Sequence, residues 1–275
     1  MKPPRFDYIR AATLVEAHTV LAAEGADARV IAGGQTLLPM LSMRLARPKV
    51  LVDIMSLQEI GRIEEAEGLV RVGAAVRQAE LLRWPQLATR QPLLAAALPW
   101  VGHAQTRSRG TVCGSVAHAD PSAELPLVLV ALGGSITLST RWRRRTVAAE
   151  QFFLGLMSTA RRDDELVAAV SFPIARPGHG YAFLEFGRRH GDFAIVACAA
   201  VVTGNSTRLA VGGVADRPIA RDWSNVSGDA LDDALNELAH DLDAREDLHA
   251  TARFRRDLVR RLGRETIAEA RRCLA

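Results

Sequence analysis

Lysine is scarce in this sequence, where Lys2 and Lys49 are the only two among 35 basic residues. Acidic residues number 31, so the formal net charge is only +4 over 275 residues. A balance this close to neutral does not demand a nucleic-acid partner. The one dense basic run, 141–145, is flanked by strand-like sequence and is interpreted as an exposed hairpin tip. We therefore expect no nucleic-acid binding.

Cysteine is also rare, with only Cys113, Cys198 and Cys273, far apart and without a CxxC pair. Three dispersed cysteines build neither a disulfide framework nor a zinc or iron–sulfur site within one chain. We expect no metal site in this chain and a reducing, cytoplasmic location.

Long apolar runs are missing as well. No stretch reaches the ~18 uninterrupted apolar residues that a membrane span needs, and the opening MKPPRFDYIR has no apolar core of a signal peptide. We expect no membrane span and no standard export signal. The composition of 48% hydrophobic and 24% charged residues is typical of a globular protein with one or two cores, and it excludes disorder and collagen.

The beginning of the chain has the pattern of a compact βαβ unit. Thr13 and Glu16 occupy capping-box positions, which predicts a helix over 13–23. The order strand, glycine turn, helix, strand then follows at residues 29–32, 33–34, 37–45 and 50–54. Such a unit is expected to be right-handed.

The middle of the chain predicts strands and helices around one long polar stretch, His103 to Pro121, which we expect to be a functional loop. The predicted helices are 77–84, 92–101 and 122–132, and the predicted strands are 69–73, 135–139, 146–148 and 165–172. Prolines and glycines in 173–180 are typical of a linker. Beyond it, strands at 181–188, 193–202 and 208–214 precede helices at 229–242 and 250–274, which predicts a small α+β domain.

The strongest local signal for a ligand is Ala32-Gly33-Gly34-Gln35-Thr36, where a strand ends in two glycines before a helix. Paired glycines permit a positive φ and a close backbone approach, so successive N–H groups can converge on a phosphate or pyrophosphate. The alternative is a tight strand-to-helix turn without a ligand, because the motif is neither a Walker A loop nor a GxGxxG fingerprint.

A second polar segment with glycines, 109–121, could face the first across one dinucleotide. It could equally be a surface loop. His118 is a candidate base, metal ligand or flavin attachment point, and His103 is a weaker candidate of the same kind, but a histidine in a loop is more often a simple hydrogen-bonding residue.

Five ordered segments resemble the FAD-binding medium subunit of the molybdenum hydroxylases, the family of carbon monoxide dehydrogenase and xanthine dehydrogenase. They span nearly all of the chain at matching spacing and read KPPRFDYIRAATLVEA, AGGQTLLPMLSMRLARP with the following LVDI, GTVCGSVAHADPSAELP, RRHGDFAIV and ARFRRDLVRR.

The resemblance implies an α+β architecture: a two-part FAD-binding domain of the vanillyl-alcohol-oxidase type, followed by a small domain of antiparallel sheet and helices. The implied boundaries are 1–175 for the FAD-binding domain and 176–275 for the C-terminal domain. Within the first, 1–56 is the βαβ subdomain and 57–175 the second subdomain.

By the same resemblance, noncovalent FAD is the cofactor, and no catalytic residue or metal ligand is assigned to this chain. The implied cofactor-binding residues are Ala32, Gly33, Gly34, Gln35, Thr36, Thr111, Gly114, Ser115, Asp120 and Asp192. The first five would hold the pyrophosphate, and the segment around Asp192 would lie near the isoalloxazine. The family pattern TIGGN has glycine and asparagine where this chain has Cys113 and Ser115. We interpret Cys113 as a small replacement without a redox role.

The resemblance predicts an oxidoreductase subunit that passes electrons through FAD to a terminal acceptor such as NAD, a quinone or oxygen. The electrons would reach FAD from an iron–sulfur subunit with [2Fe–2S] clusters. That subunit would receive them from a subunit with a molybdenum cofactor. Two alternatives remain open from the residues. One is a free-standing FAD oxidase of the same fold, and the other is a structural subunit that has lost FAD, as the substitutions at Cys113 and Ser115 would allow.

Overall fold

The computed structural model describes residues 2–274. Its strands are β1 Asp7–Arg10, β2 Ala28–Ile31, β3 Val50–Asp53, β4 Ile63–Ala66, β5 Leu69–Gly73, β6 Ser135–Ser139, β7 Arg144–Ala148, β8 Phe153–Gly155, β9 Ser158–Thr159, β10 Leu166–Pro173, β11 Gly180–Phe186, β12 Val196–Val202, β13 Ser206–Gly212 and β14 Ile219–Ser224. Its α-helices are α1 Leu14–Glu24, α2 Leu37–Ser42, α3 Gln78–Leu82, α4 Leu87–Arg90, α5 Pro92–Ala97, α6 Ala104–Arg109, α7 Val112–His118, α8 Glu124–Ala131, α9 Ala149–Phe152, α10 Gly228–Asp241 and α11 Ala252–Arg272.

The first sheet has three parallel strands in the order β1-β3-β2 and contains the predicted βαβ unit, β2-α2-β3. α1 is capped as expected: Thr13 Oγ1 accepts from the Glu16 N–H at 3.1 Å, and Glu16 Oε2 accepts from the Ala12 N–H at 2.7 Å. β1 was not predicted. Its residues are mostly exposed, so the strand forms because its backbone pairs with β3 and not because its side chains have a buried pattern.

The second sheet is antiparallel, in the order β4-β5-β10-β6-β7, and β10 at its centre is buried at every residue except the last. α7 packs on this sheet, against β5 and β10. α8 is buried along its whole length, ELPLVLVA, and lies against α5 and α7 on one side and β12 and β13 on the other. The helix therefore joins the second sheet to the C-terminal sheet.

The C-terminal sheet is antiparallel with the order β11-β12-β13-β14, and its central strands β12 and β13 are largely buried on both faces. Ala197, Ala199 and Ala210 belong to the same hydrophobic cluster as α8. The opposite face, with Cys198 and Leu209, packs on α10 and α11. β14 was not predicted because it is a half-exposed edge strand without a continuous apolar pattern.

The expectation of a long loop from His103 to Pro121 is wrong, because this stretch contains α6 and α7. Thr111 Oγ1 caps α7 by accepting from the Gly114 N–H at 3.0 Å. Val112, Cys113 and Val116 are buried on one face of the helix. This helical spacing was present in the sequence but was hidden by the polar and small residues around it.

One buried arginine connects α11 to the rest of the C-terminal domain. Arg255 is 2% exposed, and its Nη1 donates to the carbonyl oxygens of Ile195 at 2.6 Å and Gly213 at 2.8 Å. Its Nη2 donates to Asp247 Oδ2 at 2.6 Å. The side chain thus holds together three segments: the residue before β12, the turn at Gly213 and the loop before α11.

Replacing Arg255 with methionine should lower the free energy of unfolding by on the order of 3 kcal/mol, because two buried carbonyl groups lose their donor and Asp247 loses its cation. Arg253→Met is the matched control on the exposed side of the same helix and should change it by less than about 0.5 kcal/mol. Urea unfolding of both variants measures the difference, and equal values would contradict this role of Arg255.

Candidate cofactor site

The loop between β2 and α2 needs both of its glycines. Gly34 has φ +71°, a conformation that L side chains rarely adopt. At Gly33 the restriction is steric, because a Cβ atom would lie 2.2 Å from the carbonyl oxygen of Arg109 and 2.6 Å from the Gly110 Cα. The positive φ and the close backbone approach that the paired glycines permit are both observed, the first at Gly34 and the second at Gly33.

The same contact shows that the two glycine-containing segments meet. The backbone at Gly110 is held there by α3, since its carbonyl oxygen accepts from the Gln78 N–H at 2.8 Å. The Val112 N–H donates to the Val76 carbonyl oxygen at 3.1 Å. Two segments that are distant in sequence therefore pack backbone against backbone. The Gly110 N–H is itself bonded to the Thr106 carbonyl oxygen at 2.7 Å, so the second segment supports the first glycine loop from behind at this point.

Gln78 lies beside Gly110, where a Cβ atom would come within 3.0 Å of its Oε1, and it was not singled out in the sequence. It is 4% exposed, and its Nε2 is 3.4 Å from the carbonyl oxygen of Thr111. Its Oε1 is buried without a hydrogen-bond partner in the described part of the chain. A buried amide oxygen that lacks a donor is a polar group that a bound molecule could satisfy.

Residues of the second segment divide between structural and exposed positions. Thr111 is 2% exposed and its hydroxyl is engaged in capping α7. Gly114 must remain small because a Cβ atom would lie 2.6 Å from Thr111 Oγ1. Ser115 is half-buried on α7, and Asp120 stands after its end, where Oδ1 accepts from the Ser122 N–H at 2.8 Å. The first loop likewise has exposed Gln35 and Thr36.

Burial favours the uncharged forms of both titratable side chains of α7, Cys113 and His118. Burial raises the pKa of the Cys113 thiol to about 12, and its Sγ lies 3.4 Å from the carbonyl oxygen of Val72. Such a thiol is not ionised near neutral pH and is a poor nucleophile. Burial also lowers the pKa of His118 below its ordinary value, which favours the neutral imidazole.

Asp192 belongs to a C-terminal segment that packs on the residues before α6. Gly191 has φ +85°, and a Cβ atom there would lie 2.6 Å from His103 Cε1. The neighbouring His190 ring contacts Trp100 at a centroid distance of 4.8 Å. Asp192 Oδ2 pairs with Arg189 Nε at 3.3 Å. His103 therefore serves as a packing partner for this turn.

A cavity of about 800 Å³ opens beside this segment, with His103, Ser122, Arg188, Asp192, Phe193 and Arg255 among its lining residues. The lining includes Asp192 but none of the residues 32–36 or 111–115. The structure brings the first glycine loop into contact with the start of the second segment, at Gly33 and Gly110. It places the predicted site residue Asp192 at a separate cavity. Ser122, which bonds to Asp120, lies at the edge of that cavity.

Two acidic residues that were not predicted as site residues have unusual surroundings. Burial, together with the negative charge of Asp120, raises the pKa of Glu124 to about 7. Burial and the charge of Glu124 raise the pKa of Glu185 to about 8. The signal for Glu124 was visible in the sequence, since it is the only charged residue of an otherwise apolar helix.

The residues present fit FAD. The loop before α2 carries no side chain at Gly33 and Gly34 and has a positive φ at Gly34, which lets a pyrophosphate approach its backbone closely. Within residues 2–274 no group of three or more His, Cys, Asp or Glu side chains is arranged to hold a metal ion. Nor does any helix of that range have the length and apolar character to cross a membrane.

Gly33→Ala should lower the thermal stability of the protein and its content of bound flavin, because the added methyl group would displace the Arg109–Gly110 backbone. Gly204→Ala is the matched control, since a Cβ atom at Gly204 meets nothing within 4 Å. Thermal melting and the flavin absorbance of the purified proteins measure both effects. A Gly33→Ala protein equal to the control would show that the contact between the two segments is dispensable.

Both parts of the chain match known families. Residues 4–175 match the FAD binding domain in molybdopterin dehydrogenase, and residues 181–270 match the CO dehydrogenase flavoprotein C-terminal domain. The nicotine 6-hydroxylase medium subunit of Paenarthrobacter nicotinovorans is 36% identical, over 98% of this chain and 99% of the relative. Subunit alpha of the 6-hydroxypseudooxynicotine dehydrogenase complex of the same organism is 34% identical, over 98% and 96%.

Solved structures agree in fold over the whole chain. A chain of carbon monoxide dehydrogenase from Hydrogenophaga pseudoflava matches with a TM-score of 0.94 and 30% identity, over 100% of both chains. A chain of quinoline 2-oxidoreductase from Pseudomonas putida 86 matches with a TM-score of 0.91 and 32% identity, also over 100% of both. The expected architecture of an FAD-binding domain followed by an α+β C-terminal domain is confirmed. The chain belongs to the family of FAD-binding medium subunits of the molybdenum hydroxylases.

Proposed function

We propose that this chain is the flavin electron-transfer subunit of a multi-subunit molybdenum hydroxylase. The observation that carries the proposal is the full-length match to medium subunits of such enzymes, combined with the contact between the two glycine segments. FAD, when bound, exchanges electrons singly or in pairs, so it can connect one-electron iron–sulfur clusters to a two-electron acceptor.

In the proposed site, the loop from Ala32 to Thr36 holds the pyrophosphate, and the Arg109–Gly110 backbone supports this loop through its close contact with Gly33. Thr111, Gly114, Ser115 and Asp120 bind the cofactor from the second segment, with Thr111 acting mainly through the α7 cap that it forms. Asp192 approaches from the C-terminal domain. The positive φ of Gly34 and the exposure of Gln35 and Thr36 support this assignment.

We propose two partner chains, an iron–sulfur small subunit and a molybdenum large subunit. Support comes from relatives whose names describe a complex subunit, a medium subunit or a chain of a Cu,Mo-containing CO dehydrogenase. Substrate hydroxylation then takes place on the molybdenum subunit. NAD, a quinone and oxygen are the candidate terminal acceptors, and three free cysteines fit a cytoplasmic location.

The proposed domain division is 1–175 and 176–275, with a further division of the first domain at residue 56. β10 ends at Pro173 and β11 begins at Gly180, and the two family matches meet between residues 175 and 181. β3 ends at Asp53, and the second sheet begins at Ile63. Both divisions thus fall between sheets.

Asp120→Ala should weaken FAD binding by about one to two decades, because a lost hydrogen bond that leaves a buried partner unsatisfied costs roughly 1–3 kcal/mol. Asp120→Asn retains an acceptor for the Ser122 N–H and separates the support of that turn from contact with the cofactor. Asp233→Ala, on the exposed face of α10, is the control. Flavin titration of the apoprotein gives the affinities, and an unchanged value for Asp120→Ala would remove this residue from the site.

The function itself is tested by reconstitution. The isolated chain should bind FAD and should not be bleached by an organic substrate, whereas addition of the partner subunits should restore substrate-driven bleaching of the flavin absorbance. Gly34→Val, which places a branched side chain at φ +71°, should lose flavin and serves as the cofactor-free control. Rapid bleaching of the isolated chain by an organic substrate would instead identify a free-standing flavin oxidase.

A further inference from the structure

The hairpin formed by β6 and β7 ends in an exposed, strongly basic tip. Residues 141–145 contain four arginines and one tryptophan. Trp142 is 81% exposed, and the guanidinium group of Arg141 lies 4.7 Å from its ring centroid. Arg143 and Arg144 are exposed as well. Within residues 2–274, these three arginines form no ion pair with a carboxylate. The tip therefore presents three positive charges and an aromatic ring to its surroundings.

Hydrogen bonds hold both the tip and the base of this hairpin. At the tip, the Thr140 N–H donates to the Arg143 carbonyl oxygen at 2.8 Å, and Thr140 Oγ1 accepts from the Arg143 N–H at 3.2 Å. At the base, Arg145 Nε and Nη2 donate to the two carboxylate oxygens of Glu165 at 2.6 and 2.7 Å. Glu165 is only 4% exposed. A binding partner would therefore meet a preformed surface, which reduces the entropy lost on binding.

β7 is also an edge strand, because it is the last strand of the second sheet and pairs with β6 alone. The bond between Thr140 and Arg143 shows that Arg143, and every second residue after it, faces β6. Arg144 and Thr146 therefore direct their backbone N–H and C=O groups away from β6. Both residues are exposed, and these groups have no backbone partner within residues 2–274. The edge is thus free to pair with another strand.

The free edge and the arginines together select one kind of partner. An extended peptide segment can pair with a strand edge through its own backbone, which neither a nucleic acid nor a lipid headgroup can do. Carboxylate side chains match the charge and the planar fork of a guanidinium group. Tryptophan and arginine are the residues that most often dominate the binding energy of protein interfaces. The surface therefore fits an extended acidic segment of another protein.

A second copy of this chain is a poor occupant of the same edge. Pairing of β7 with β7 of another copy would bring arginines close to arginines, and like charges on paired strands destabilise the pairing. The arginines thus prevent association of identical chains while they leave the edge open to a partner of opposite charge.

We propose that residues 141–146 are a docking strip for an extended acidic segment of a partner subunit, which adds to the five-stranded second sheet as a further edge strand. The backbone of this segment bonds to the outward N–H and C=O groups of Arg144 and Thr146. Its carboxylates pair with the arginines, and one of its apolar side chains covers Trp142. That the partner is a subunit of a molybdenum hydroxylase rests on the proposed function, whereas the recognition of an acidic strand does not.

Hydrogen exchange of the backbone amides tests strand addition without any variant. In the assembled complex, the amides of Arg144 and Thr146 should exchange more slowly, by about tenfold or more, than in the isolated chain with bound FAD, because they gain a backbone acceptor. The amide of Leu248, in a fully exposed loop, is the control and should not change. Equal exchange of the Arg144 and Thr146 amides in both states would overturn the proposal.

Two variants of the tip test the arginines and the tryptophan, with the affinity for the partner subunits measured by calorimetric titration of the chain with bound FAD. The double variant Arg143→Gln/Arg144→Gln should bind about fivefold more weakly and should lose part of the salt dependence of binding. Arg253→Gln/Arg272→Gln removes the same charge from exposed positions of α11 and is the control.

Trp142→Ala should weaken binding by about thirtyfold if the ring is covered by the partner. Leu248→Ala, which also removes an exposed apolar side chain, is the control. Affinities of the tip variants equal to those of their controls would overturn the proposal.

Thr146→Pro tests the strand edge. It removes an N–H that points away from β6, so the pairing of β6 and β7 is retained, while the partner strand loses a hydrogen bond. We expect binding to be about tenfold weaker. Thr146→Ala keeps this N–H and should bind like the wild type. Equal affinities of the two variants would show that no strand is added.

A synthetic peptide separates this proposal from the proposed function. If the chain assembles with no partner subunits, the proposed function fails, and a short peptide of alternating glutamate and valine then tests the docking strip. The peptide should bind at low salt and protect the Thr146 amide, whereas a lysine–valine peptide should not bind. Failure of the acidic peptide to bind would overturn the proposal. So would binding of single-stranded DNA or of phosphatidylserine vesicles in its place, since the strip would then serve another class of ligand.

Discussion

The close approach of two backbone segments at Gly33 is the constraint on which the candidate site depends. A single methyl group there would overlap the backbone at Arg109 and Gly110. The contact joins the parallel sheet at the beginning of the chain to the helices that cover the antiparallel sheet. The position of the first glycine loop is therefore fixed by residues far away in sequence, at Arg109 and Gly110.

The junction between the second sheet and the C-terminal sheet depends on how α8 is buried. The helix packs between the second sheet and the C-terminal sheet, so its position determines how the two domains meet. Small residues at Ala197, Ala199 and Ala210 allow this close packing. A helix of this kind would ordinarily be entirely apolar. The glutamate at its first position is 5% exposed, and its burial raises its pKa to about 7.

Several elements could be predicted because their signals are local. The α1 cap depends on Thr13 and Glu16, which are only three residues apart. The two glycines after β2 mark a turn by their residue type alone. Elements stabilised by pairing could not be predicted in this way. β1 and β14 are exposed edge strands. α6 has no buried residue, and the buried face of α7 becomes evident only against β5 and β10.

The sequence by itself determined the βαβ order at the beginning of the chain, the glycine turn, the family and the residue types available to a flavin. Each of these depends on local pattern or on motifs that are read along the chain. Only the tertiary structure decided that Gly33 meets Gly110, that the buried Oε1 of Gln78 lies behind them, and that Asp192 lines a separate cavity beside His103. Those properties arise from burial and from distances between residues far apart in sequence, and such distances are set by packing and not by local pattern.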